Sequence, residues 1–140
     1  MKRTFLILLS AVMLLASCGN RPKSQNAPAE TQVPADSSSF ESLALEDFMK
    51  AVEDSSVLLL DVRTAEEHAE GCIPGTDLNI DVLGENFAQA AAEAIAPSTK
   101  VALYCRSGNR SKKAAAILSK NGYEVVELSC GYKGWKASQE

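Results

Sequence analysis

The sequence predicts an α/β domain, a parallel sheet with helices on both faces. Two observations carry that reading. The segments Val57-Leu58-Leu59-Leu60-Asp61-Val62 and Lys100-Val101-Ala102-Leu103-Tyr104 are nearly unbroken apolar runs, the pattern of strands covered on both sides. Helical periodicity precedes, separates and follows them, so strand and helix alternate along the chain, and alternation implies crossover connections and parallel pairing. A length of 140 residues allows one domain of ordinary size and no second of comparable size.

The elements follow in order from Phe40, the start of a domain spanning 40–140. Leu45, Phe48, Met49 and Val52 recur at helical spacing, which predicts an amphipathic helix. The strand 57–62 comes next. Thr64 and Glu67 then form a T-x-x-E capping box that opens a short helix. Leu78 to Val82 is expected as a short strand. Phe87, Ala90, Ala91, Ala94 and Ile95 line one face of a third helix, stopped by Pro97. After the strand Lys100–Tyr104, the Ala-rich stretch Ser111–Lys120 is expected as a helix closed by Asn121-Gly122. Tyr123–Leu128 reads as the last strand and Gly131–Ser138 as the last helix. No segment repeats another.

The N-terminal part reads differently. Lys2 and Arg3 precede an eleven-residue apolar run, Phe5 to Leu15, too short to span about 30 Å of hydrocarbon but suited to a signal-peptide core. The run ends in Leu15-Ala16-Ser17-Cys18, which resembles a bacterial lipoprotein signal. That resemblance implies cleavage of residues 1–17, lipid on Cys18, and a location in the bacterial cell envelope facing the periplasm or the exterior. The plainer alternative is a secretory signal with a chance cysteine. Several acyl chains on one cysteine anchor a protein stably, since each buried CH2 contributes about 0.8 kcal/mol. Gly19 to Ser39 holds three of the five prolines and no apolar cluster, so residues 18–39 are expected to be a lipidated, flexible tether.

Composition removes several function classes. A net charge of −4 argues against a nucleic-acid footprint over the whole surface. His68 is the one histidine, too few for the His-rich zinc sites that need two or three imidazoles, and no metal or other cofactor is expected. The cysteines at 18, 72, 105 and 130 contain no C-x2-C pair, so a zinc knuckle and a thioredoxin-type motif both fail.

The chemistry gathers at Cys105. It follows the strand Lys100–Tyr104 directly, and ligands of such sheets bind beyond the carboxyl ends of the strands. Arg106-Ser107-Gly108-Asn109-Arg110-Ser111 then leads straight into a helix. A loop so placed can turn successive N–H groups inward as an anion nest, and the helix start adds partial positive charge. Arg106, Arg110, Lys112 and Lys113 lie here with no acid among residues 105–113. Each effect favours thiolate over thiol, so Cys105 is expected to be nucleophilic with a lowered pKa. The competing reading is a small buried core residue.

Here the sequence resembles a known family, the single-domain rhodaneses. The resemblance rests on Asp61-Val62-Arg63 with Glu66 and Glu67, then Gly71-Cys72-Ile73-Pro74-Gly75-Thr76 and Asn79. It continues in Tyr104-Cys105-Arg106-Ser107-Gly108-Asn109-Arg110-Ser111 and ends in Leu128-Ser129-Cys130-Gly131-Tyr132-Lys133-Gly134-Trp135. It spans roughly residues 40–138. It implies a five-stranded parallel sheet, a persulfide on catalytic Cys105, and substrate contacts from Arg106, Ser107, Gly108, Asn109 and Arg110. The implied activity is that of a thiosulfate sulfurtransferase, with a small sulfur donor and a thiol or cyanide acceptor as partners. Arg106, Arg110 or Lys112 is then a candidate for holding the donor's sulfonate, against the alternative of a solvated basic face.

Related phosphatases and arsenate reductases use a loop one residue longer, wide enough for a tetrahedral oxyanion. The loop 105–110 is the shorter form, which favours sulfur transfer. Asp61 and Arg63 are expected to be structural, with the Asp-Val-Arg charges tying their loop to Glu66 or Glu67. His68 is expected to be exposed, and Tyr132 and Trp135 to pack the last helix. Cys72 stands where many members carry His, and Cys130 where Gly is usual. Cys130 is either a resolving thiol for Cys105 or, like Cys72, a semi-buried thiol without a role. Two other functions remain open: a non-enzymatic persulfide carrier or binding module, and a thiol redox protein using Cys105 with Cys130 or Cys72.

Overall fold

The computed structural model describes residues 39–140. Five strands, β1 (Glu41–Leu43), β2 (Val57–Asp61), β3 (Leu78–Asn79), β4 (Lys100–Tyr104) and β5 (Glu124–Leu128), form one sheet in the order β1-β5-β4-β2-β3. Every pairing is parallel. The central pair runs in register from Val57 opposite Lys100 to Asp61 opposite Tyr104. The helices are α1 (Leu45–Val52), α2 (Ala65–Ala69), α3 (Phe87–Ala94), α4 (Asn109–Lys120) and α5 (Gly131–Ala137).

Strand alternation divides the core into two layers. Leu60, Val101, Leu103 and Val125 pack with Phe87, Ala91, Ala114, Ala115 and Leu118 from α3 and α4. On the opposite face, Leu59, Ala102, Tyr104 and Leu128 pack with Phe48 of α1, and Tyr132 and Trp135 of α5 join them. The doubly apolar strands of the sequence are thus the doubly covered strands of the fold. A capping box opens α2: Thr64 Oγ1 accepts from Glu67 N at 3.3 Å, and Glu67 Oε2 accepts from Thr64 N at 3.2 Å. α3 ends at Ala94, ahead of Pro97, and α4 closes at Asn121 before Gly122 at φ +87°.

Beside one-residue shifts at the start of β5 (Glu124 for Tyr123) and the end of α5 (Ala137 for Ser138), four differences from the sequence expectation have local reasons. β1 is three residues of mostly exposed edge strand, with no apolar run to announce it; its hydrogen-bonded ladder with β5 defines it. β3 stops at Asn79 rather than Val82, where the Asn79 amide donates to the carbonyls of Asp61 and Arg63 and the chain leaves the sheet. α4 begins two residues early, because Gly108 at φ +93° turns the chain directly into helix at Asn109. β2 ends at Asp61, and beyond it the Val62 N–H donates to Tyr104 O while Val62 O accepts from Val82 N. The expected signal peptide 1–17, the lipidated Cys18 and all of the tether 18–39 except Ser39 lie outside the described residues. Among the described residues, no helix is long and apolar enough to cross a membrane.

Candidate active site

Cys105 is the first residue past β4 and is 1% exposed. The loop behind it folds as it does because two glycines let backbone meet backbone. A Cβ on Gly108 would lie 2.3 Å from Ser129 O, and one on Gly131 would lie 2.5 Å from Ser107 N. Both glycines also hold positive φ, which L side chains rarely adopt. The start of α5 then locks the loop: Tyr132 N donates to Cys105 O at 2.8 Å, and Lys133 N to Arg106 O at 3.0 Å.

Held this way, the loop turns inward on the sulfur. Gly108 N donates to Cys105 Sγ at 3.2 Å, and the Cys105 thiol donates to Ser111 Oγ at 3.4 Å. Burial is the largest influence on the thiol and pushes it up, yet hydrogen bonds from the Ser111 hydroxyl and from the Ser107, Ser111 and Gly108 amides prevail. The thiol is therefore held below its ordinary value. Hydrogen-bond donors lead the opposition to burial, ahead of the neighbouring cations expected from the sequence, of which Arg110 is still coupled to the Cys105 charge.

The remaining loop residues divide. Arg106, Ser107 and Asn109 are exposed. Arg110 makes a bidentate pair with Glu67, Nη1 to Oε2 at 2.6 Å and Nη2 to Oε1 at 2.7 Å. Its guanidinium is thus engaged by α2, and Arg110 in turn holds the Glu67 carboxyl down to about 2. Lys112 and Lys113 point outward on α4. Beside the loop lies a cleft of about 370 Å³ lined by Arg63, Glu70, Arg106, Tyr132, Lys133 and Lys136 among others.

Two expectations about charge are corrected. Arg63 does not reach Glu66 or Glu67. It closes on Asp61, with Nη2 to Oδ2 at 2.6 Å and Nε to Oδ1 at 2.9 Å, and its Nη2 also donates to Gly71 O at 2.7 Å. Its guanidinium lies 4.2 Å from the Tyr132 ring centre, so the pair is also stacked under α5. His68 is not free at the surface: Nδ1 sits 2.9 Å from Asp61 Oδ2 and its side chain is 31% exposed. Spatial proximity within the β2–α2 turn, not charge count, chose these partners. Tyr132 and Trp135 do pack as expected, with ring centres 5.5 Å apart.

Two residues of the site were missed from sequence. Ser111, fully buried, donates its hydroxyl to Glu127 Oε2 at 2.8 Å. Glu127, also fully buried, accepts at Oε1 from Ser42 Oγ. One signal for Glu127 was present: an acid between Val126 and Leu128, at the end of the last strand of a sheet expected to carry helices on both faces, must find donors inside the fold.

A buried thiol ringed by amide donors, at the carboxyl end of a parallel sheet, defines an α/β protein whose loop stabilises an anionic sulfur. The rhodanese-like domain model matches residues 44–138, and the chain belongs to that family. A protein of Allochromatium vinosum named as a sulfurtransferase is 34% identical over 88 residues, covering 61% of this chain and 78% of its own. YrkF of Bacillus subtilis strain 168, named as a proposed sulfur carrier protein, is 33% identical over 105 residues, covering 74% of this chain. This chain spans 55% of that relative's length. Among solved structures, the rhodanese-related protein of Thermoplasma volcanium superposes with a TM-score of 0.60 at 26% identity, over 71% of this chain and 93% of that one.

Proposed function

We propose that this chain is a sulfurtransferase that moves a sulfane sulfur from a thiosulfate-like donor to a thiol or cyanide acceptor through a persulfide on Cys105. The observation that carries the reading is the Gly108 N–H on a buried sulfur whose thiol is held low. In the first half-reaction, a lone pair of the Cys105 thiolate forms a bond to the donor's outer sulfur. The bond between that sulfur and the sulfonate sulfur breaks, and its electron pair leaves with sulfite. In the second half-reaction the acceptor attacks the outer sulfur and the Cys105 thiolate departs, which gives ping-pong kinetics. The inward amides stabilise sulfur charge in both steps without a proton donor.

With Arg110 engaged by Glu67, Arg106 is the loop cation best placed to attract the sulfonate, and the neighbouring cleft brings Lys133 and Lys136. Ser107, Gly108 and Asn109 complete the proposed contact loop around the transferred sulfur. The anchor belongs to the same proposal: lipid on Cys18 holds the domain at the bacterial envelope, facing the periplasm or exterior. Metabolic labelling with a fatty acid, lost in Cys18→Ala, is the expected outcome for that part.

The central test incubates the protein with thiosulfate, takes its intact mass, then adds cyanide and assays thiocyanate. One added sulfur on Cys105 followed by thiocyanate is expected; no added sulfur and no turnover would falsify the proposal. The similarity to YrkF favours a second reading, a carrier that passes sulfur to a partner protein. A Cys105 persulfide that forms but is not discharged by small acceptors marks that reading. A Cys105–Cys130 disulfide in peptide maps marks thiol redox chemistry instead.

A further inference from the structure

We propose that Glu127 is the internal base of Cys105: through Ser111 it takes the proton that the thiol gives up. The proposal rests on the preceding one only for the identity of Cys105 as the reacting thiol.

The geometry is a continuous buried chain. Cys105 Sγ meets Ser111 Oγ at 3.4 Å, and Ser111 Oγ meets Glu127 Oε2 at 2.8 Å. All three residues are at most 1% exposed. The other carboxyl oxygen accepts from Ser42 Oγ. Among the described residues, Glu127 joins none of the ion pairs, so two hydroxyls are its whole support, and a charged group buried with so little is costly.

Ser111 has one hydroxyl hydrogen and two claimants. While Cys105 is a thiol, that hydrogen serves Glu127. When Cys105 becomes a thiolate the sulfur needs the same hydrogen, and an ionised Glu127 would lose one of its two donors in a site without solvent. A concerted shift resolves the conflict. The S–H bond breaks and its electron pair stays on sulfur, while the proton forms a new O–H bond on Ser111. Ser111's own proton passes to Glu127 Oε2. Ser111 now donates to the thiolate, and the Glu127 acid donates to Ser111. Every group remains satisfied, and the net charge of the buried site is unchanged.

Among the described residues, Glu127 has no charged partner in an ion pair. Leu103 faces it from β4, and Ser42 from β1, beside the exposed Glu41. On α4, Lys112 and Lys113 are exposed and Arg110 is paired with Glu67. Cys130 lies past the end of β5 and is exposed, and the Lys100–Glu124 pair sits at the other end of the β4–β5 ladder.

The test pulse-alkylates the full chain with iodoacetamide from about pH 5 to about pH 8 and reads the Cys105 peptide by mass spectrometry. An internal acceptor makes the thiolate fraction independent of bulk protons, so the wild-type rate is expected to change less than about twofold across that range. In Glu127→Gln and in Ser111→Ala the proton must go to solvent, and the rate is expected to rise about tenfold per pH unit below the thiol pKa. A wild-type rate that already climbs tenfold per unit, or a flat profile that survives either substitution, overturns the proposal. Should those variants fail to fold, the infrared difference between wild type and Cys105→Ser decides. The carbonyl stretch of a protonated carboxylic acid is expected in wild type and lost in the variant. Its absence from wild type, or its persistence in the variant, overturns the proposal. No sulfur donor enters these readouts, so failure of sulfur transfer is scored separately.

Discussion

Two carboxylates lie fully buried near the carboxyl end of the same sheet, Asp61 closing β2 and Glu127 near the end of β5, and the fold treats them in opposite ways. Asp61 is saturated with charge-assisted bonds from Arg63 and a contact from His68. Burial is the largest influence on its carboxyl and pushes it up, but the bonds from Arg63 and His68 win and hold it below the usual range. Among the described residues, Glu127 receives two serine hydroxyls and no cation. The difference teaches what each is for. A compensated charge fixes a turn, here by pinning the β2–α2 connection and reaching Gly71 O through Arg63. A carboxylate held only by hydroxyls, one of them shared with a thiol, is placed to exchange a proton.

The comparison breaks first at the thiol. Cys105→Ser removes the nucleophile while keeping a small hydrogen-bonding group, and sulfur transfer is expected to fall at least about a thousandfold. Circular dichroism should be unchanged. Retained turnover in that variant places the chemistry elsewhere. On the Asp61 side the damage should appear in stability. Arg63→Ala strips the buried carboxylate of its guanidinium, leaving only His68 and the backbone N–H at 63 beside it, and exposes the stacked face of Tyr132, so urea denaturation should show a loss of about 3–5 kcal/mol. A cost under about 1 kcal/mol would mean that Asp61 is not held as a charged group by Arg63.

Gly108→Ala forces a Cβ to within 2.3 Å of Ser129 O at φ +93°, a strain of about 1–3 kcal/mol. The loop must shift to relieve it and the Gly108 N–H leaves Sγ. Alkylation of Cys105 at neutral pH is expected to slow severalfold while the fold persists; an unchanged rate would show that this amide does not hold the thiolate.

These two regions were unequally legible in the sequence. β2 and β4 could be read because strands covered on both faces need apolar residues at every position, and that pattern is local. Cys105 could be read because its strand end, Gly108 and flanking cations are contiguous. β1 escaped because an exposed edge strand of three residues carries no periodicity. Arg63 was given the wrong partners because Glu66, Glu67 and Asp61 are all within reach in sequence, and the turn geometry decides among them. Ser111 reads as an ordinary first-turn helix residue until β5 is laid beside α4. Its tie to Glu127, and Glu127's tie to Ser42 on β1, are long-range facts of topology.

The smallest effect sharpens the contrast by testing a charge pair at the surface. Glu67, near α4 rather than in the core, is held at about 2 chiefly by its hydrogen bonds from Arg110. Because the folded value lies below the unfolded one, its stabilisation is complete above the unfolded carboxylate's ordinary value near 4.5 and is lost as pH falls toward 2. The side chains are 22% and 27% exposed, so solvent screening reduces the contribution to about 1–2 kcal/mol. Wild type is therefore expected to lose over half of that amount beyond the loss of Glu67→Gln between neutral pH and pH 3, read from urea midpoints at each pH. Equal losses would show that the pair contributes nothing measurable. The compensated carboxylate of the comparison would then be confined to the buried Asp61, where desolvation makes the Arg63 guanidinium indispensable.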